Sequence, residues 1–336
     1  MFNEVAVNDS AINYFGRWDF SVAGTARIGW GSAYIKVRFS GSSLSIRLTD
    51  TVDNWWQFSV DGAPFEKFQP KQPITELANN LADNEHELVL FRRTEGGLGI
   101  SEFGGLILAA GASVIEHDYS KQRRIEFVGN SIVCGYVNAG PDWINQDSYM
   151  AFSVHLARLL NADWHCTSIS GIGVLHNYDE PWPPCLPHLQ DYYPQTHKCE
   201  NELRWDFSRW QPDVVIVATG TNDFTDVNRK PTATEFKTGY AELIAVIRLN
   251  NPQAKIICTE PIPGWAGPLC RDWINELVME CNARGDREIY YLSCNVPEPL
   301  LSDEHYVGDG THPNILGGAV LGGYFRDKVA DIAGWK

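Results

Sequence analysis

The stretch PDVVIVATGTND, residues 212–223, holds an unbroken apolar run from Val214 to Ala218 and then stops at Gly220. A strand with one wet face alternates apolar and polar residues. A run of β-branched residues without alternation suits a strand covered on both faces, as at the centre of a parallel sheet. Polar side chains crowd in where the run ends, at Thr221, Asn222 and Asp223. In open α/β sheets ligands sit at the carboxyl ends of the strands, so this junction is a place to look for chemistry.

The flanking sequence carries the same grammar from about residue 120 onward. Strands are predicted at RIEFV (124–128), DWHCTSIS (163–170), AKIICTEP (254–261) and REIYYLS (287–293). Helical spacing is present over 146–161, 232–251 and 269–285, and a terminal helix is predicted over 313–334, opening with Pro313. Alternating strands and helices mean a parallel sheet with helices on both faces.

The earlier part of the chain reads differently. AYIKVRFSG (33–41), SLSIRLTD (43–50), WWQFSVDG (55–62) and HELVLFRRT (86–94) alternate with period two between Gly, Asp and Pro turns. Short strands with one apolar face point to a β-sandwich. On a strand only one of the adjacent Trp55 and Trp56 faces inward. The one helical candidate here is ITELANNLA, at 74–82. The expected organisation is therefore two domains, a β-sandwich over 1–118 and an α/β domain over 119–336.

Composition bounds the partners. A chain of 336 residues with 44% apolar and 21% charged residues can bury two cores. A net charge of −15 disfavours nucleic acid and anionic lipid, both of which need clustered Lys and Arg. A neutral substrate fits better, and the 12 Trp and 13 Tyr offer faces for packing or for stacking on sugars. No stretch approaches a membrane span, and MFNEVAVNDS lacks the basic start and apolar core of a signal peptide. Either a cytoplasmic location or prior removal of an export signal agrees with that.

Four polar motifs fall at predicted strand ends: Ser131 in GNS, Gly171 in SISG, Asn222 in GTND, and the DGTHPN turn from Asp309 before the last helix. Serine is a weak nucleophile until a base takes its proton. His312 is the candidate base, and Asp309, three residues earlier, can orient its imidazole. The Ser131 and Gly171 amides and the Asn222 side chain are candidate donors for an oxyanion; losing one such donor costs about 3 kcal/mol of barrier. Each motif also has a plain reading. A serine after glycine is commonly a helix cap, and GTND by itself is a turn. Their convergence on one sheet edge is what makes the catalytic reading.

These motifs resemble the four blocks of the SGNH (GDSL-type) hydrolases: GNSIVCGY the first, SISG the second, GTND the third and DGTHP the last. With a β-sandwich first, and with YFGRWDF and WDFSRWQPDVVIVATGTNDF, nearly the whole chain resembles carbohydrate esterase family 2. The resemblance implies an N-terminal jelly-roll, a C-terminal flavodoxin-like domain, and hydrolysis of acetyl esters on polysaccharides such as xylan and glucomannan without metal or other cofactor. An acetylated carbohydrate is then the expected partner. Two other readings are a related esterase acting on other small acyl esters and a carbohydrate-binding protein with an inactive site. The first block usually reads Gly-Asp-Ser; Asn130 stands here in place of the Asp, keeping its shape and one acceptor but not its charge.

A long segment between the second and third predicted strands, 176–210, is expected to wall the cleft. Cys185, His188, His197 and Cys199 lie within it, but the spacing of the last pair is too tight for a usual zinc site, and no metal is assigned. Free thiols or a disulfide fit better. Trp182 and Trp265 are the candidate sugar-stacking residues.

Overall fold

The alternating pattern of the first part becomes antiparallel strands. The computed structural model describes residues 2–198, 200, 202–294 and 299–335. The chain folds as two units, Met1–Ser120 with Thr196–Glu200, and Lys121–Gln195 with Asn201–Lys336.

The first unit contains β1 (Asn3–Val5), β2 (Asn13–Phe15), β3 (Ala26–Ile28), β4 (Tyr34–Ser40), β5 (Leu44–Asp50), β6 (Trp56–Val60), β7 (Glu66–Phe68), β8 (Ile74–Ala78), β9 (Glu85–Arg92), β10 (Ser101–Leu108) and β11 (Val114–Ile115). One sheet runs β1-β10-β5-β8 with β3 also on β10; the other runs β11-β4-β9-β6-β7 with β2 also on β4. Alternation does the work: Leu44, Ile46 and Leu48 are buried while Ser45 and Arg47 are partly exposed. Trp56 is fully buried; Trp55 is half-exposed, with the Lys67 ammonium 4.0 Å above its ring. The helical candidate at 74–82 is corrected. Ile74–Ala78 is a strand paired with β5, because ladder hydrogen bonds and burial of Leu77 outweigh the helix propensity of Glu, Leu and Ala.

In the second unit, β12 (Arg123–Gly129), β13 (Ala162–Ser168), β14 (Val214–Ala218), β15 (Lys255–Thr259) and β16 (Ile289–Tyr291) form a parallel sheet in the order β13-β12-β14-β15-β16. This is the 2-1-3-4-5 order of doubly wound sheets, with the switch point between β12 and β14. Every residue of β14 is buried, as its unbroken apolar run requires. The helices are α1 (Ser131–Cys134), α2 (Phe152–Leu159), α3 (Leu189–Tyr192), α4 (Ala233–Asn250), α5 (Gly267–Ala283) and α6 (Ile315–Ala333).

Capping sets their starts. Thr232 and Glu235 form a reciprocal capping box on α4. The last helix opens at Ile315 rather than at Pro313, because Asn314 caps it by accepting from the Gly317 N–H. The helical spacing over 146–161 resolves into a 3-10 turn at Ser148–Met150 and then α2, because Asp147 caps the turn and Ala151 is extended. Among the described residues no helix is long and apolar enough to cross a membrane.

Candidate active site

The site is built on adjacent strand ends. Gly129 closes β12 level with Ser168 of β13 and Ala218 of β14. A Cβ at Gly129 would lie 2.3 Å from the Ala218 oxygen and 2.5 Å from Val133, so glycine is required for the backbone to pass here. Ser131, Gly171 and Asn222 each follow one of these neighbouring strands, which lie about 4.8 Å apart in any sheet.

Asn130 answers whether Ser131 is a cap. Asn130 takes that role, its Oδ1 accepting from the Ile132 N–H at 3.1 Å, and Gly135 ends the short helix at φ +71°. The Ser131 hydroxyl is therefore not used in the turn. It donates to His312 Nε2 at 2.9 Å. On the other side of the ring His312 Nδ1 meets Asp309 Oδ2 at 2.6 Å. With Asp309 ionised, Nδ1 carries the proton and Nε2 is left to accept from serine. The structure thus brings together Ser131, His312 and Asp309, with Ser131 buried and Asp309 half-exposed.

Asp309 also folds its own loop: its Oδ1 accepts from the Thr311 and His312 N–H groups at 2.8 Å each. Desolvation pushes the Asp309 carboxyl up, but the His312 side chain and these amides outweigh it and hold it below the ordinary carboxylate value. Gly308 and Gly310 lie at φ +98° and +65°, conformations the tight turn needs.

The opposite side is held by a residue that the motif reading passed over. Asp223, fully buried, accepts at Oδ1 from the N–H groups of Val174, Leu175 and His176 at 3.1, 2.7 and 3.0 Å. Its neighbour Asn222 donates through Nδ2 to the Ile172 carbonyl at 2.7 Å. Together they pin the loop that carries Gly171, itself at φ +78°. Burial outweighs the amide donors and pushes the Asp223 carboxyl up to about 6. Its signal in the sequence was an acid directly after a candidate oxyanion residue. Among the described residues no acceptor takes the Ser131 or Gly171 N–H. Asn222 Nδ2 has a second hydrogen beyond the one given to Ile172.

Tyr136 is a further neighbour that sequence reasoning missed, its ring edge-to-face with His312 at 5.1 Å. Trp265 comes to the same loop. Its Nε1 donates to Thr311 Oγ1 at 3.2 Å, and its ring is 42% exposed. Trp182 is not brought there. Its ring stacks on His176 at 4.7 Å and lies 3.8 Å from the Arg229 guanidinium. Of the zinc-like set, His188 bonds Glu180 at 3.0 Å, and Cys199 lies outside the described residues. Cys185, Cys258, Cys270 and Cys281 are free thiols.

A serine, an imidazole and a carboxylate in line at the carboxyl edge of a 2-1-3-4-5 sheet define the acyl-hydrolase class of the flavodoxin-like fold. Residues 127–320 match the GDSL-like lipase/acylhydrolase family, and residues 14–117 match the carbohydrate esterase 2 N-terminal domain. The chain belongs to the GDSL-like acylhydrolases and, within them, to the family two carbohydrate esterases. It is 32% identical over 338 residues to the cellulase/esterase CelE of Acetivibrio thermocellus, covering 98% of this chain and 40% of that protein. It is 25% identical to an acetylxylan esterase/glucomannan deacetylase of Cellvibrio japonicus, over 68% of this chain and 66% of that one. A family two carbohydrate esterase from Clostridium thermocellum, solved in complex with cellohexaose, superposes with a TM-score of 0.87 at 32% identity, covering 97% of this chain and all of the other. The chain therefore spans less than half the length of CelE.

Proposed function

We propose that this protein is a serine esterase that removes O-acetyl groups from plant polysaccharides or oligosaccharides such as xylan and glucomannan. The observation that carries the reading is the Ser131–His312 hydrogen bond of 2.9 Å, with Asn130 doing the capping a serine would otherwise do. The names of its relatives support the substrate class: one is an acetylxylan esterase and glucomannan deacetylase, and another was solved with a bound cello-oligosaccharide. In this reading the chemistry belongs to 119–336, and 1–118 is accessory.

Ser131 Oγ attacks the acetyl carbonyl as His312 Nε2 takes its proton. Asp309, accepting from Nδ1–H, steadies the imidazolium that forms. The Ser131 and Gly171 amides and the second Asn222 Nδ2 hydrogen receive the oxyanion. His312 then returns the proton to the departing sugar oxygen, leaving an acetyl-serine. Water, deprotonated by His312, attacks that ester and releases acetate. Trp265, exposed beside the His312 loop, offers a flat face for the sugar.

Hydrolysis of 4-nitrophenyl acetate by the wild type and Ser131→Ala tests the mechanism. The variant is expected to lose activity by about 10⁴-fold or more. Equal rates in the two proteins would remove Ser131 from the mechanism. Turnover that falls steeply from acetyl to octanoyl esters, together with acetate release from acetylated xylan, supports the deacetylase. A flat chain-length profile favours an esterase of other acyl groups, and glycan binding with no turnover favours an inactive binding protein.

A further inference from the structure

The first unit holds a polar cluster that the chemistry above does not use. Asp19, His197 and Glu200 place their ligand atoms within 4.8 Å of one another. His197 is fully buried, yet among the described residues neither of its ring nitrogens has a hydrogen-bond partner, and its Nε2 is 3.8 Å from Asp19 Oδ2. A buried imidazole with both nitrogens idle is costly and calls for a group to fill the gap. The backbone makes room for the ring: a Cβ at Gly29 would come within 2.9 Å of His197 Cβ and Nδ1.

Charge points the same way. Arg27 is the guanidinium of the cluster, and it meets Asp19 at 3.1 Å, Glu102 at 3.5 Å and Glu200. One guanidinium serves three carboxylates.

We infer that Asp19, His197 and Glu200 form a binding site for one divalent transition-metal ion, zinc by preference, alongside Arg27. One imidazole and two carboxylates are a zinc donor set, and small rotations of the carboxylates bring their oxygens to the roughly 2.0–2.2 Å zinc requires. Asp19 is already oriented, its oxygens accepting from the Ser21 N–H at 2.8 Å and the Ser21 hydroxyl at 3.0 Å.

The test is a titration of the full chain, stripped with chelator, with zinc chloride, followed by calorimetry and thermal unfolding. One zinc per chain and a rise in Tm are expected. His197→Gln should abolish both. Glu200→Gln, at the partly exposed edge, should keep the fold by circular dichroism and weaken binding by about tenfold or more. Cys185→Ser, which removes the exposed thiol, should leave binding unchanged. Absence of binding in the wild type at micromolar zinc, or binding that survives unweakened in both ligand variants, overturns the site. Neither readout depends on esterase activity.

Discussion

Two carboxylates hold the two sides of the candidate active site, and they do so in opposite surroundings. Asp223 and Asp309 each accept backbone N–H groups and shape a loop. Asp223 is sealed from water and pushed up to about 6, whereas Asp309, with its side chain 42% exposed, is held low. The same ligation in a dry and a wet site gives opposite proton affinities, because desolvation outweighs the donors in the first, while the His312 side chain and the loop amides together outweigh it in the second. The dry side positions backbone donors that must not move. The wet side carries the base, which must exchange protons.

The comparison breaks most visibly if each carboxylate is removed. Asp309→Asn is expected to lower kcat by about 10²–10⁴-fold, since the imidazole loses its orienting acceptor, while Tm stays close to wild type. Asp223→Ala should do the reverse first. It strands three buried amides and is expected to cost about 3 kcal/mol or more in urea unfolding, with lost activity following from the displaced Gly171 loop. Equal stability losses in the two variants would sink the distinction.

Acid titration sharpens it. Burial raises the Glu180 carboxyl, but amides of Asn177, Leu186 and Cys185 and the His188 ring outweigh that and hold it at about 2. A depressed carboxylate contributes stability above its ordinary value near 4.5 and loses it as pH falls toward 2, which amounts to about 3 kcal/mol for this buried side chain. Asp223 has the opposite sign: its contribution is present below 3.8 and is lost as pH rises through about 6. Unfolding free energies of Glu180→Gln should therefore flatten between pH 4.5 and 2 relative to wild type. Those of Asp223→Asn should flatten between pH 4 and 6. An unchanged slope in either variant contradicts the assignment.

Smaller effects are expected at the edges. Trp265→Ala should raise KM for acetylated oligosaccharides by about threefold to tenfold, the worth of one aromatic contact, and leave kcat on 4-nitrophenyl acetate near wild type. A fall in kcat alone would make Trp265 a support for Thr311 rather than a sugar platform. Asn130→Ala should cost about 1 kcal/mol of stability through the lost cap. No loss would show that Ser131 can serve as the cap after all.

Much of this was legible in the sequence. The buried run at 214–218 and the alternating strands at 34–40 and 44–50 appear as the periodicity implies. Where the reading slipped, tertiary contacts had outweighed local preference. Residues 74–78 pair at a sheet edge despite helix-forming residues, and Trp182 stacks on His176 and Arg229 rather than reaching the His312 loop. Asp223 was overlooked because a buried carboxylate and a turn carboxylate look alike until their amide partners are known.

The sequence by itself determined the period of most segments, the Thr232 and Glu235 pair that starts α4, and the residue types able to attack, accept a proton and donate to an oxyanion, because these depend on neighbours within a few residues. The tertiary structure decided which of them meet. Ser131 and His312 are 181 residues apart in the chain and share a hydrogen bond, since the parallel sheet brings the Ser131 strand end and the loop before α6 to one edge. It also decided which carboxylate lies in water and which does not. Those outcomes depend on long-range packing and burial, which no local pattern encodes.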